Sequence, residues 1–183
     1  YFKDFASKFD NEKSYLSKGI LSGINLIEKG ILDKIVLAFR ISFEIKNKFN
    51  LLKVLKNFQI NQPNTCRYVW KRSSNDITFG ASPEKLFSLD NNKIILEAIA
   101  GTSRINGDKN FLLKSSKNLR EHNYVIDYLI DSLHEVGVRK YTKDPLEVRS
   151  FGEISHLYTS ISAKAKNICP FEFLEIMHPS PAV

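Results

Sequence analysis

The sequence predicts an α+β domain built on an antiparallel sheet, and three observations support that prediction. Apolar residues recur near the 3.6-residue helical spacing in two long segments. Short runs of β-branched and aromatic residues come in pairs around polar turns such as "KRSSN" and "DNNK", which is typical of hairpins. Helices and strands do not alternate as they do in a parallel βαβ sheet. With 183 residues and 43% hydrophobic content, the chain is long enough to form one core.

Four helices are predicted. The apolar face of the first is formed by Tyr15, Leu16, Ile20, Ile24 and Ile27. Gly30 follows at the position where a helix commonly ends. A second long helix is predicted from about Ser115 to His134, and "LLKVLKNF" fits a short one. The last is "CPFEFLEIM", which carries proline in its first turn.

Seven strands are predicted from runs of β-branched and aromatic residues. The longest is "ILDKIVLAFRISFEI", which contains Lys34. The six shorter ones are "CRYVW", "DITFG", "KLFSL", "KIILEAIAG", "EVRSF" and "HLYTSISA".

Composition limits the classes of function. The net charge of +7 suits an anionic partner, although a lysine-rich solvated surface explains it as well. The basic residues are spread along the chain without interleaved aromatics, so no nucleic-acid-binding module is predicted. No run approaches the roughly 18 apolar residues of a membrane span. We therefore expect a cytoplasmic protein, or a plastid one in a photosynthetic eukaryote.

The two cysteines, Cys66 and Cys169, lie far apart and have no CxxC or histidine companions at ligand spacing. This pattern predicts buried thiols rather than a zinc site or a disulfide. The sequence opens at Tyr1 and stops at "HPSPAV", and we expect it to be a segment of a longer protein.

Lys34 is a candidate general base. Alternation along its predicted strand places it on the same face as Val36 and Ala38. An ammonium partly removed from water beside apolar side chains has a lowered pKa and can accept a proton near neutrality. The alternative is a lysine that protects an edge strand from aggregation.

Glu84 is a candidate general acid in the stretch "FGASPEKL". Pro83 fixes its own φ and pushes Ser82 into an extended conformation, so the carboxylate is presented from a stiff turn. Partial burial in a pocket would raise the pKa of this carboxyl and make it a proton donor. The alternative is a glutamate on a turn in water.

Glu121 is a candidate Mg²⁺ ligand on the second long helix, because Mg²⁺ takes oxygen ligands from one or two carboxylates. The alternative is an ion pair with Lys117 four residues earlier. At the end of "EAIAGTSR", exposed backbone N–H groups at Gly101 and Thr102 could receive a carboxylate, although a plain turn explains the motif equally well.

Six blocks occur together in a fixed order: "DKIVLAFR", "FGASPEKL", "LEAIAGTSR", "SSKNLREHNYVIDYL", "ISHLYTSI" and "MHPSPAV". From about Ile20 to Val183 the sequence closely resembles the chorismate-utilising enzymes, the anthranilate synthase component I-like family. Within that family it is most similar to the isochorismate synthases of the menaquinone and phylloquinone pathways. Salicylate synthase or another chorismate-utilising enzyme is the alternative within the family, and a non-catalytic basic binding module is the alternative outside it.

The resemblance implies a fold, a reaction and a set of roles. The fold is a large α+β core of antiparallel sheets packed together with outer helices, of which residues 1–183 are a central part truncated at both ends. The reaction is Mg²⁺-dependent conversion of chorismate to isochorismate. The implied roles are Lys34 as the base, Glu84 as the acid and Glu121 as a Mg²⁺ ligand. The residues implied to contact the substrate are Gly101, Thr102, His156 and Ala182.

The sequence departs from the family pattern at several points. Phe39 stands where relatives usually carry Arg, and Asn118 stands where many carry Asp. The family's second Mg²⁺-binding glutamate and the arginine that clamps the substrate carboxylate follow the "HPSPAV" block. We therefore expect the 183 residues alone not to turn over chorismate.

Overall fold

The computed structural model describes residues 2–38, 40, 49–104 and 109–181, with the side chains of 2–14, 109 and 110 left aside. The chain divides into two compact units, Tyr1–Phe49 and Asn50–Val183, and each is considered by itself.

The first unit contains one long helix, α1, Phe2–Glu28. It ends as predicted at Gly30, whose φ is +67° and whose N–H donates to the Ile27 carbonyl over 2.9 Å. A left-handed φ is inexpensive only for glycine, so this residue fixes the end of the helix.

The strand predicted from "ILDKIVLAFRISFEI" is wrong for its described part, because residues 31–38 form no strand. Residue 39 and residues 41–48 lie outside the described residues. Leu37 and Ile35 lie against α1 instead, 3.7 Å and 3.0 Å from where a Cβ on Gly19 and on Gly23 would stand. β-Branched composition favours extended backbone, but a strand also needs a hydrogen-bonded neighbour, and none of the described residues provides one.

Among its described residues, the second unit carries the sheets and four more helices. In chain order its elements are α2 Leu51–Asn61, β1 Cys66–Ser73, β2 Asp76–Ser82, β3 Ser88–Asp90, β4 Lys93–Arg104, α3 Lys109–Lys114, α4 Ser116–Glu135, β5 Tyr141–Lys143, β6 Glu147–Phe151, β7 Ile154–Lys164 and α5 Pro170–Met177.

All strand pairs of the second unit are antiparallel. β1 and β2 form a two-stranded hairpin, and β3, β4 and β7 lie side by side in a five-stranded sheet. β5 and β6 both pair with β7 along its other edge. The predicted α+β class with antiparallel sheets is therefore confirmed, and so are both predicted hairpins. The short elements α3 and β5 were not predicted, because three to six residues carry too little periodicity.

The core of the second unit lies between α4 and one face of β4 and β7. On the strands, the fully buried side chains Leu96, Ala98 and Ile161 face this core. On α4 the partners are Val125, Leu129 and Leu133. α4 begins at Ser115, whose hydroxyl accepts from the Asn118 N–H over 3.3 Å.

The cysteines correct one prediction. Both Cys66 and Cys169 are free thiols, as expected, but both are exposed rather than buried. Cys66 begins β1, a strand whose residues are exposed throughout, and Cys169 precedes the first turn of α5.

Candidate functional site

A bulge in β4 positions the centre of the candidate site. The register between β4 and β7 shifts between Ala100 and Thr102, and the intervening Gly101 has a φ of +73°. A Cβ at this position would lie 3.1 Å from the Asn118 Cβ and 3.5 Å from a Leu157 methyl. Glycine is thus required both for the left-handed backbone and for close approach to the start of α4.

Gly101 was predicted at a turn that ends a strand. β4 instead continues through the bulge to Arg104, so the unusual backbone lies within the strand. Bulges re-aim the side chains that follow them, and here the residue that follows is Thr102.

Thr102 and His156 form the second part of the site. They are cross-strand partners, and Thr102 Oγ1 lies 3.0 Å from His156 Nδ1. His156 is 9% exposed, and its Nε2 is buried without a hydrogen-bond partner among the described residues. Burial lowers the pKa of His156, and a backbone hydrogen bond with Gly101 opposes part of that shift. The structure therefore brings Gly101, Thr102 and His156 together, and their contact with a substrate stays a prediction.

The first turns of α4 form the third part. Asn118 is buried and packs against Gly101, and Glu121 follows three residues later on the same face of the helix, half-buried. Glu121 thus lies one helical turn from the contact between α4 and the bulge. Asn118 and Glu121 together carry an amide and a carboxylate on the turns of α4 that begin at this contact.

These oxygen donors fit Mg²⁺ in kind but do not make a complete protein cage. Across the described ranges, no group of three or more His, Cys, Asp and Glu side chains could hold a metal ion. Mg²⁺ commonly keeps several waters and is held by one or two carboxylates together with its substrate. A site made of Glu121, Asn118, water and substrate groups agrees with that chemistry.

Glu84 lies just after β2 on the predicted stiff turn. Its N–H donates to Ser82 Oγ over 3.3 Å, which fixes the backbone that carries the carboxylate. The residue is exposed, so the partial burial expected for it is absent from this structure. Its assignment as the acid stays a prediction.

Lys34 lies in the first unit, within residues 31–38, and is half-buried. The expected partial removal from water is present, although the expected strand is not. Glu84, Glu121 and His156 lie in the second unit, so the opposed placement of Lys34 and Glu84 stays a prediction. Ala182 lies outside the described residues.

A chain of polar contacts next to His156 was not predicted. Tyr158, two residues along β7 on the same face, donates from its hydroxyl to Glu97 Oε1 over 2.6 Å. The Arg149 guanidinium lies 3.2 Å from the centre of the Tyr158 ring. Burial and Glu97 raise the pKa of Tyr158 to about 12. The sequence holds one signal that could have indicated this contact. Side-chain alternation along β4 places Glu97 on the face opposite the core residues Leu96 and Ala98.

On the other face of β7, His122 of α4 is buried against the sheet. Its Nε2 lies 2.9 Å from Thr159 Oγ1, and the residue is 1% exposed. Burial, together with the charge of Lys143, lowers the pKa of His122 to about 4. Histidine at this position is therefore a neutral part of the core.

The family model described as chorismate binding enzyme matches residues 4–183. Isochorismate synthase MenF of Haemophilus influenzae is 27% identical over 165 residues, which cover 86% of this chain and 38% of that protein. The chain thus spans about two fifths of the length of this curated relative.

Solved structures show the same fold. DhbC of Bacillus anthracis, described as a 2,3-dihydroxybenzoate-specific isochorismate synthase, aligns with a TM-score of 0.68 at 23% identity, over 75% of this chain and 40% of that one. MenF of Escherichia coli, the menaquinone-specific isochorismate synthase, aligns with a TM-score of 0.65 at 21% identity, over 70% and 32%.

In the described part of the chain, no helix combines the length and the apolar character that a bilayer crossing requires.

Proposed function

The chain belongs to the chorismate-binding enzyme family, and from that membership we propose that the protein of which it is part is an isochorismate synthase. Several curated relatives that match most of this chain are named isochorismate synthases. The observation that carries the proposal is the bulge at Gly101, which joins the Thr102–His156 pair to the turn of α4 that bears Glu121.

The proposed reaction adds water to C2 of chorismate and removes the hydroxyl from C4, while the ring double bonds shift. Water is a weak nucleophile, so a base must take its proton as the C2–O bond forms. Hydroxide is a poor leaving group, so an acid must protonate the C4 oxygen as the C4–O bond breaks. One water enters and one leaves, which balances the isomerisation.

Lys34 and Glu84 are proposed for these two proton transfers. Lys34 is half-buried and stands at the position that the resemblance assigns to the base. Glu84 sits on a turn stiffened by Pro83 and by the bond from its own N–H to Ser82. We propose that Lys34 distinguishes water addition from the ammonia-dependent reactions of related enzymes.

Thr102, His156 and Gly101 are proposed to position the substrate. The bond between Thr102 and His156 fixes the imidazole ring, and burial keeps that ring neutral, so it offers a hydrogen bond without adding a charge. Glu121, with the Asn118 amide one turn before it, would hold Mg²⁺, which when bound would offset the charge of the dianionic substrate.

The proposal is tested by incubating the full-length protein with chorismate and Mg²⁺ and analysing the product. We expect isochorismate without pyruvate, whereas release of pyruvate with salicylate would identify a salicylate synthase. Lys34→Ala should lower kcat by about 10²–10⁴-fold, the range for loss of a general base. The control is Lys29→Ala, an exposed lysine of the same unit, which should keep full activity. A fully active Lys34→Ala enzyme would refute the assignment of the base.

A further inference from the structure

A basic groove lies at one end of the five-stranded sheet, away from the candidate site. It has a volume of about 1170 Å³ and is lined by the β3–β4 turn, the segment between α4 and β5, and the end of β7. Its cations are Lys93, Arg139, Lys140, Lys164 and Lys166. Of the described residues that line the groove, none is acidic.

The groove and the candidate site occupy opposite ends of the same two strands. Lys93 pairs with Lys164 at one end of β4 and β7, and Thr102 pairs with His156 toward the other. Lys93 and Thr102 are nine residue steps apart along β4, roughly 30 Å at the rise of extended backbone. The groove therefore cannot share a small ligand with the candidate site.

Two of the lysines in the groove repel each other. Lys93 and Lys164 are directly opposite in the register of β4 and β7, and like charges so placed destabilise a sheet. On its other side Lys93 is opposite Asp90 of β3, whereas Lys164 has no acidic partner in the described register. Neither lysine forms an ion pair with a described acidic residue, and the same holds for the other three cations. A sheet end that keeps this repulsion is suited to a ligand that relieves it.

The dipole of α4 accounts for the placement of only some of the five cations. α4 ends at Glu135 and is followed by Gly137, whose φ is +80°. Arg139 and Lys140 follow the negative end of the helix dipole, where cations are favoured. Lys93, Lys164 and Lys166 lie at strand ends and gain nothing from the dipole of α4.

The shape and chemistry of the groove identify the class of ligand. A single carboxylate cannot balance the positive charge of five cations. A linear oligophosphate carries several adjacent negative charges and accepts many hydrogen bonds from ammonium and guanidinium groups. A nucleic-acid surface would need several stacking partners. The groove offers one aromatic ring, Tyr141, which already lies 6.2 Å from the His134 ring.

We propose that this groove binds an oligophosphate anion, either inorganic polyphosphate or the phosphate chain of a nucleoside triphosphate. The turn between β3 and β4 adds amide donors, since Asn91 and Asn92, both with positive φ, line the same groove. The proposal does not depend on the reaction assigned to the other end of the sheet.

The test is calorimetric titration of the full-length protein with tripolyphosphate at physiological ionic strength, with chelator present to exclude Mg²⁺. We expect one saturable site. The double variant Lys93→Gln/Lys164→Gln should bind at least about tenfold more weakly, because it removes two charge-assisted contacts. The control Lys53→Gln/Lys56→Gln removes the same charge from the exposed face of α2 and should change affinity less than twofold.

Two further measurements complete the experiment. Without ligand, the Lys93→Gln/Lys164→Gln protein should be at least as stable to heat as the parent, which shows that weaker binding is not misfolding. Adenosine triphosphate should bind the same groove; tighter binding than tripolyphosphate identifies a nucleotide as the ligand, and equal binding identifies the phosphate chain alone.

Three results would overturn the proposal. The first is the absence of saturable tripolyphosphate binding. The second is an equal loss of affinity in the Lys93→Gln/Lys164→Gln and Lys53→Gln/Lys56→Gln variants. The third is tighter binding of a random single-stranded oligonucleotide than of either phosphate ligand. Isochorismate formation by the groove variants should match the parent, so failure here is separable from failure of the proposed reaction.

Discussion

Thr102 and His156 lie opposite each other in β4 and β7, with 3.0 Å between Thr102 Oγ1 and His156 Nδ1. The bulge at Gly101 creates this relationship, because it turns the Thr102 side chain toward β7 immediately after a left-handed residue.

Thr102→Val should lower kcat/KM by up to about tenfold, since it removes one neutral hydrogen bond that fixes the imidazole. Stability should fall by about 0.5–1.5 kcal/mol, because one hydrogen bond to the buried His156 ring is lost although the two side chains are similar in size. Steady-state kinetics of the full-length enzyme measure the effect. Thr78→Val, at an exposed position of β2, is the matched control and should leave kcat/KM unaltered.

Gly101→Ala should destabilise the protein more than Gly137→Ala. Both residues have positive φ, +73° and +80°, so both alanines pay roughly 1–2 kcal/mol of backbone strain. At Gly101 the new Cβ would also lie 3.1 Å from the Asn118 Cβ, whereas nothing lies within 4 Å at Gly137. Urea unfolding should therefore show a further loss of about 1–3 kcal/mol for Gly101→Ala. Equal losses of unfolding free energy in the two variants would mean that Asn118 of α4 does not pack closely against the bulge.

His122 should make the protein sensitive to acid. Its pKa is lowered to about 4 in the folded protein, against 6.5 for the free side chain, so the unfolded chain takes up its proton first as the pH falls. Above pH 6.5 the histidine is neutral in both states and does not lower the free energy of unfolding. Between pH 6.5 and 4 that free energy falls progressively. The shift corresponds to roughly 3 kcal/mol of unfolding free energy at most. His156, whose pKa is also lowered, adds a loss of the same sign.

The measurement is urea unfolding at pH 7, 5.5 and 4 in the presence of chelator. His122→Gln keeps an amide near Thr159 but cannot titrate, so its stability should fall less steeply with acid. His178→Gln, at an exposed position, serves as the control and should retain the parent slope. The interpretation fails if the His122→Gln protein is as acid-sensitive as the parent.

Tyr158→Phe should cost about 1.5–3 kcal/mol of stability, since the lost hydroxyl donates to the Glu97 carboxylate over 2.6 Å. A double-mutant cycle with Glu97→Gln should give a coupling energy near 1 kcal/mol. Tyr124→Phe on the exposed side of α4 is the control. Spectrophotometric titration should show a tyrosine ionisation near pH 12 that Tyr158→Phe removes. A zero coupling energy would contradict the contact.

Local patterns predicted most of the second unit. The helical spacing in α4 and the hairpins around "KRSSN" and "DNNK" depend on neighbouring residues, so the sequence alone indicates them. The same reasoning failed for residues 31–38, where the composition favours a strand but the described residues provide no partner strand.

The sequence by itself determined the family, the class of fold and the backbone freedom required at Gly101. Only the tertiary structure decided that Thr102 meets His156, that Tyr158 meets Glu97 and that His122 is buried on Thr159. Side-chain alternation is a local property, but the register between β4 and β7 depends on residues more than fifty positions apart and on the extra residue in the bulge. For that reason a sequence pattern can name the candidate residues of a site, whereas register and burial decide which of them touch.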